Sequence, residues 1–242
     1  MEALRIGKEQ ENMELLEAIK SRMSIRGFKP DPVPKEVLFE LLRVATRSPS
    51  GVNCQPWEIY IVVGEALKEL GQSYVGQFRQ GIKPQPVTYA GQATKGLSPS
   101  LKGVYRKRQV QLAKKMFQIL DIKKGDEKKL REYYEKMYRF YDAPAVIIIT
   151  ADESLLITSV SLDIGLLTQT IALAAQAYGL GTCVMRAIVD YPTQARDVVN
   201  IPYSKQPIIG VAIGYPDWDD PINKLRTERE SLDKILTLVG EA

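Results

Sequence analysis

The stretch Arg47-Ser48-Pro49-Ser50-Gly51-Val52-Asn53-Cys54-Gln55-Pro56-Trp57 concentrates groups that can grip a flat polar ligand. Ser50 offers a hydroxyl, and Asn53 and Gln55 each offer a carbonyl acceptor and two amide donors. Pro49 and Pro56 lack an N–H and fix φ, so the loop has few shapes open to it. A loop ordered in advance can present amides to the polar edge of a heterocycle without an ordering cost when the ligand arrives. The same composition also fits a plain turn between two elements. A second candidate lies upstream, in Ser21-Arg22-Met23-Ser24-Ile25-Arg26-Gly27-Phe28. An extended backbone there would put Arg22, Ser24 and Arg26 on one face. Two guanidiniums and a hydroxyl on one face suit a phosphate dianion. Taken alone, the pattern also fits a solvated surface segment.

The chain has 242 residues and no histidine. Ser-His-Asp and Cys-His machinery is therefore excluded, as is a His-ligated metal. Two isolated cysteines, Cys54 and Cys183, make neither a zinc site nor a disulfide framework. An enzyme so equipped leaves the hard step to a cofactor. The formal charge of +4 suits an anionic ligand without demanding nucleic acid. Hydrophobic content of 45% and charged content of 26% fit a soluble globular chain, long enough for one large domain. With no signal-like h-region and no apolar run of about 18 residues, the expectation is no membrane span and a reducing cytoplasm.

These residues need elements to hold them. Residues 1–11 are polar; Asn12 can cap a helix that carries Leu15, Leu16 and Ile19 and ends near Lys20. After the stiff Pro30–Pro34 turn, Pro34 suits a first helical position, and Val37, Leu38, Leu41, Leu42, Val44 and Ala45 form an apolar stripe. That helix leads into the central loop, and Trp57–Val63 then reads as a strand. Gly71–Ser100 shows no clear periodicity. Helical stretches follow at Leu101–Leu120 and Asp126–Phe140, rich in lysine and arginine from Arg106 to Lys129. Their charge fits a solvated face, or a lid over a ligand. Tyr133, Tyr134, Tyr138 and Tyr141 read as packing residues. Ala145–Thr150 reads as a central strand. Val160, Ile164, Leu167, Ile171, Ala174 and Tyr178 then stripe the longest helix. Leu162, Leu166, Leu173 and Ala177 fall off that stripe, which predicts burial on more than one side. Gly179 suits a left-handed C-cap, followed by a strand near Cys183–Met185, a helix over Pro192–Asn200 and a strand over Ile208–Ile213. Leu232, Ile235, Leu236 and Val239 follow helical spacing or belong to an extended arm.

Four pieces, in order and at matching spacing, resemble the FMN-dependent nitroreductase family. They are Arg22-Met-Ser-Ile-Arg26-Gly-Phe28, Pro49-Ser-Gly-Val-Asn53-Cys-Gln55-Pro-Trp57, Gly179-Leu-Gly-Thr-Cys-Val-Met185 and Asn223-Lys-Leu-Arg226-Thr-Glu-Arg229. With Phe140-Tyr-Asp-Ala-Pro144 before a strand, the chain looks most like the nitrobenzoate-reductase-like branch. The resemblance implies an α+β fold, a central, mostly antiparallel sheet wrapped by helices. It implies an intertwined homodimer with FMN at the subunit interface, a helical insertion or cap at about 74–141, and a C-terminal dimerisation arm at about 220–242. Carried over by motif, Arg22, Ser24 and Arg26 hold the FMN phosphate and ribityl end, and Pro49, Ser50, Asn53 and Gln55 line the flavin. Arg226 and Arg229 are both candidates to complete the phosphate site. Many members have a Pro-x-Glu-Gly stretch beside the reactive flavin nitrogen; here Val184, Met185, Arg186 and Ala187 stand there. A backbone N–H can still serve, but the local charge is reversed.

The implied activity is transfer of two electrons from NAD(P)H, or a protein donor, through FMN to a nitroaromatic, quinone or similar small aromatic acceptor, with ping-pong kinetics. Reductive dehalogenation or flavin modification is the alternative on the same fold. From another class, the basic residues between 102 and 131 allow an anion- or nucleic-acid-binding module.

Overall fold

Ala145-Val-Ile-Ile-Ile is a run that only a strand covered on both faces can use, and it forms the middle of the molecule. The structure, a computed structural model, describes residues 14–84, 88–89, 92–93 and 101–240. The Asn12 cap lies outside these, as does much of the segment from 85 to 100. In chain order the elements are α1 (Leu15–Ser21), α2 (Lys35–Ala45), β1 (Trp57–Val63), α3 (Gly64–Arg79) and a small hairpin of β2 (Thr88–Tyr89) and β3 (Gln92–Ala93). Then come α4 (Gly103–Ile119), α5 (Glu127–Tyr138), β4 (Ala145–Asp152), α6 (Ile157–Ala177), β5 (Gly181–Met185), α7 (Pro192–Val199) and β6 (Lys205–Gly214).

The main sheet has the order β1-β4-β6-β5, with every pair antiparallel. Alternation along β4 feeds two cores. Ala145, Ile147 and Ile149 pack with α2 and the inner stripe of α6, around Leu38, Leu41, Ile164 and Leu167. Val146 and Ile148 face the other way, onto Leu70 and Tyr74 of α3, Tyr138 of α5 and Ala195 of α7. The fold is α+β, as expected, with the sheet between two helical layers.

Three expectations meet corrections. The segment after β1 is not aperiodic at its start: α3 runs through Gly71 to Arg79 and buries Leu67, Leu70, Tyr74 and Val75. A cap beginning near 74 would therefore begin inside a core helix. Within this chain α6 is buried along one side; Leu162 and Leu166 remain 67% and 39% exposed. Pro34 is the N-cap of α2, not its first helical residue. The Ser159–Ala177 stretch of α6, with mean hydropathy 1.2, is also long and apolar enough to cross a membrane by length and composition, where no such run was expected. Its inner stripe packs on the sheet.

Other readings hold. β1 has the bounds expected of it. Gly179, at φ +67°, closes α6: its N–H bonds Gln176 O while Leu180 N–H reaches back to Ala175 O, the pairing of a Schellman cap. The four tyrosines pack, with Tyr138 and Tyr141 nearly buried. The tail has short turns at Pro221–Lys224 and Leu232–Lys234; Ile222 and Leu225 are buried, while Leu232, Ile235, Leu236, Leu238 and Val239 are exposed.

Candidate functional site

The chain leaves α1 at Arg22 and runs extended along the outer edge of β5. Ser24 forms a parallel bridge with Thr182, and Ile25 N–H donates to Thr182 O at 2.9 Å. Ile25 is 2% exposed and fills the space where Gly181 has no side chain; a Cβ there would come within 2.5 Å of Ile25 Cγ1. With Ile25 turned into the core, Ser24 and Arg26 lie on the opposite face of the strand.

Asn223 fixes the next turn. Its Oδ1 accepts from Arg26 N–H at 2.9 Å and Gly27 N–H at 3.2 Å. Its Nδ2 donates to Gly27 O and Asp217 O, both at 2.7 Å. Arg226 is joined to the same turn, donating to Asn223 O at 2.8 Å and Leu225 O at 3.2 Å. Arg229 instead bonds its own Thr227 and Glu228 and lines a groove against α4. The two tail arginines are thus separated: Arg226 is joined to the turn that Asn223 ties to the arginine strand, and Arg229 is not.

Arg26 is unusual. Its Nη1 donates to Ser24 O at 3.3 Å, and its guanidinium carbon stands 6.0 Å from the centre of the Tyr141 ring. Its Nε is buried without a partner, and among the described residues no carboxylate pairs with it. Burial pushes the Cys183 thiol up, while the nearby cations of Arg26 and Arg22 pull it partly back, so both arginines bear on the same buried spot. Tyr141 reaches Arg26 from a left-handed turn in which Phe140, Tyr141 and Asp142 have φ of 58°, 58° and 56°. Such backbone costs roughly 1–2 kcal/mol per residue, offset here by burying the Phe140 and Tyr141 rings.

The central loop is built differently. It crosses the N-terminal half of α6, where the nearly buried Asp163 accepts from Gly51 N–H at 3.1 Å and from Cys54 Sγ at 3.6 Å. Ser48 Oγ bonds Thr170 Oγ1 at 2.7 Å. Ser50 Oγ accepts from Gln55 N–H at 2.9 Å, and Gln55 Nε2 donates to Asn53 Oδ1 at 3.3 Å. Val52, Asn53 and Gln55 all have positive φ. The loop is therefore shaped before any ligand arrives, with Pro49, Asn53 and Gln55 open to solvent.

These two groups do not meet within one chain. The arginine strand is tied to the far end of α6, where Gln176 bonds Ala18 O and Ser21 Oγ. Thirteen residues of helix from Asp163 to Gln176 span about 20 Å.

Past Ser24's bridge, β5 continues to Val184, 42% exposed, and Met185, buried in the core. Arg186 and Ala187 begin a short 3-10 turn. Arg186 donates to Asp190 Oδ1 at 3.2 Å, and Tyr138 Oη donates to Asp190 Oδ2 at 3.3 Å. Burial pushes the Asp190 carboxyl up, against the pull of Arg186 and the Tyr138 bond.

Three residues gain roles that the sequence left unassigned. Asp163 could have been found, as the one charged residue in α6. Asn223 stood in a quoted motif without a part. Tyr141 has no sequence signal for its left-handed turn.

The arrangement offers an anion-binding strand backed by a clamp, and a pre-shaped amide loop. The sequence profile described as "Nitroreductase family" matches residues 19–215. The chain is 28% identical over 222 residues to the 4-nitrobenzoate reductase of Pseudomonas putida, covering 92% of this chain and 94% of that protein. It is 29% identical over 226 residues to the chloronitrobenzene nitroreductase of Comamonas testosteroni, covering 92% and 96%. Among solved structures, the FMN-dependent nitroreductase NfnB from Mycobacterium smegmatis in complex with NADPH superposes with a TM-score of 0.83 at 26% identity, covering 92% of this chain and 96% of that one.

Proposed function

The chain belongs to the nitroreductase family, and from that premise we propose that it is an FMN-dependent oxidoreductase reducing nitroaromatic, quinone or similar aromatic acceptors with NAD(P)H. The observation that carries this reading is the Arg22–Ser24–Arg26 strand, with Arg226 beside it and a buried guanidinium nitrogen, Arg26 Nε, lacking a partner. An orphaned buried donor on a cationic strand fits a group bearing a phosphate and ring acceptors.

FMN, when bound, supplies two-electron chemistry between a reduced donor and an oxidised acceptor. The protein's part is position and charge. Arg22, Ser24 and Arg226 would hold the phosphate and ribityl end, with Arg26 behind them. Pro49, Ser50, Asn53 and Gln55 would line the flavin's polar edge, and the backbone of Val184, Met185, Arg186 and Ala187 its reactive edge. Because the strand and the loop lie about 20 Å apart along α6, each site takes its strand from one copy and its loop from another, in a homodimer. The α4–α5 segment covers the site as a cap. Neither nucleic acid nor a membrane has a part in this reading, and the unpaired Cys54 and Cys183 suit the cytoplasm.

Purified protein should be yellow and should reduce a nitroaromatic or a quinone at the expense of NAD(P)H. Donor and acceptor would use one open face in turn, so double-reciprocal plots at several fixed donor concentrations should be parallel. Colourless protein that takes up no FMN on reconstitution refutes the reading; intersecting lines refute the shared face.

A further inference from the structure

The basic residues of α4, which the sequence marked as a solvated face, a lid or an anion-binding module, form a groove with the tail. A groove of about 870 Å³ lies between them, walled by Lys107, Arg108, Lys114 and Lys115 of α4 and by Arg229 of the tail. Two carboxylates share it. Glu230 pairs with Arg108 at 2.6 Å and Glu228 with Lys115 at 3.2 Å. Among the described residues Lys107 and Lys114 have no ion pair, and Arg229 bonds only its own neighbours, Thr227 and Glu228. Three cations are left unmatched in a concave space, where their fields add. The groove opens three residues beyond Arg226, at most about 11 Å of chain away, so it adjoins the proposed flavin phosphate site.

We propose that this groove receives the adenosine end of the nicotinamide donor and reads its 2′-phosphate, making NADPH preferred over NADH. The inference rests on the reading of the chain as an NAD(P)H-consuming flavoprotein. The 2′-phosphate is the one group that distinguishes the two donors, and it adds a compact dianion. Lysines in a shallow, wet groove serve such a group as point charges. Glu228, 90% exposed on its side chain, pairs only with Lys115 and places a negative charge in the same groove, where it opposes an anionic ligand.

The test compares 2′,5′-ADP with 5′-AMP, which differ only in that phosphate, by calorimetric titration of the FMN-loaded protein. We expect 2′,5′-ADP to bind about tenfold tighter or better, with the advantage shrinking as salt rises. Lys107→Gln and Lys114→Gln, both on the exposed face of α4, should each weaken 2′,5′-ADP by about two- to fivefold, the size of a solvent-exposed charge pair. The loss should be smaller for 5′-AMP than for 2′,5′-ADP, and smaller in kcat/KM for NADH than for NADPH, so that both ratios fall. Glu228→Gln should tighten 2′,5′-ADP, which loss of a merely structural contact would not do. Equal binding of the two nucleotides overturns the inference, as does displacement of 2′,5′-ADP by a short single-stranded DNA indifferent to the lysine substitutions. If the protein holds FMN and turns over while the lysine variants discriminate nothing, the groove inference fails and the flavin reading stands. If it neither holds FMN nor turns over, the functional reading fails, and the groove inference that rests on it fails with it.

Discussion

Arg22 and Arg26 carry the same charge, yet their surroundings differ. Arg22 sits at the end of α1, partly exposed, while Arg26 is drawn under Tyr141 with one nitrogen unpartnered. Arg22 is thus the better placed to meet a ligand from solvent. Its replacement by alanine should weaken FMN binding by about one to two orders of magnitude, since a charge-assisted hydrogen bond contributes roughly 1.5–3 kcal/mol. Lysine should rescue only in part, because it cannot make the bidentate contact. FMN titration followed by flavin fluorescence checks both, and unchanged affinity in Arg22→Ala removes that residue from the site. Asp190 makes a second prediction at this scale. Burial holds its folded pKa above the unfolded value, outweighing Arg186 and Tyr138. A carboxyl raised in this way costs stability while it is ionised in the fold, and the cost disappears as pH falls through the folded pKa. Asp190→Asn should therefore gain stability over the parent near neutral pH, the Tyr138 hydroxyl being free to rotate toward the amide. The gain should shrink toward zero in acid. Denaturation midpoints measured at neutral pH and at about pH 4 test the sign.

At the scale of elements, the clamp between the tail and the arginine strand is the critical joint. Asn223 is 1% exposed, and its side chain satisfies four backbone groups, three of them on Arg26 and Gly27, remote in sequence, and one on Asp217. Asn223→Ala should lower the melting temperature by several degrees and weaken FMN together, since each buried group left unmatched costs about 1–3 kcal/mol. Asn223→Asp, which keeps the acceptor but loses both donations, should fall between. An alanine variant with parental melting and flavin affinity would show that the strand does not need its clamp. Much of this architecture was legible in advance where pattern and burial coincide. β1 is rich in β-branched and aromatic residues and β4 is continuously apolar, and both were found. The helix α3 was hidden because Gly64, Gly71 and Gly76 dilute its stripe. The residue types of the site could be read from the sequence, but their spacing in space could not. Nothing in the linear order says that the arginine strand and the amide loop attach to opposite ends of α6. The separation of Arg226 from Arg229 was likewise beyond reach, because it depends on which carbonyls the tail folds back upon.

For the whole molecule, the unresolved surface is apolar. Leu162 and Leu166 of α6, Leu15 and Leu16 of α1, and Leu236 and Val239 of the tail are all exposed in a single chain. Off-stripe leucines on α6 were expected to be buried, and within this chain they are not. A sequence shows that a face wants cover but not whether the cover comes from the same chain. The distance between loop and strand points the same way, because neither alone can surround a flavin. A second copy, as proposed above, would answer both needs at once: it would cover the leucines and bring its loop to the first copy's arginines. Light scattering should then give about twice the 27.2 kDa chain mass. Truncation after Glu230 separates this from a local role for the tail. It keeps Ile222, Asn223 and Leu225, which are buried and anchor the strand, and keeps the Glu230–Arg108 pair, while removing the exposed residues of the arm. If the arm only decorates the surface, the truncated protein stays dimeric and yellow. If the arm wraps the other copy, the truncated chain should remain folded by circular dichroism yet lose dimer and flavin over the same range of protein concentration, because each flavin site is made of two chains. A folded, FMN-loaded monomer would refute the shared site, whatever the enzyme's activity.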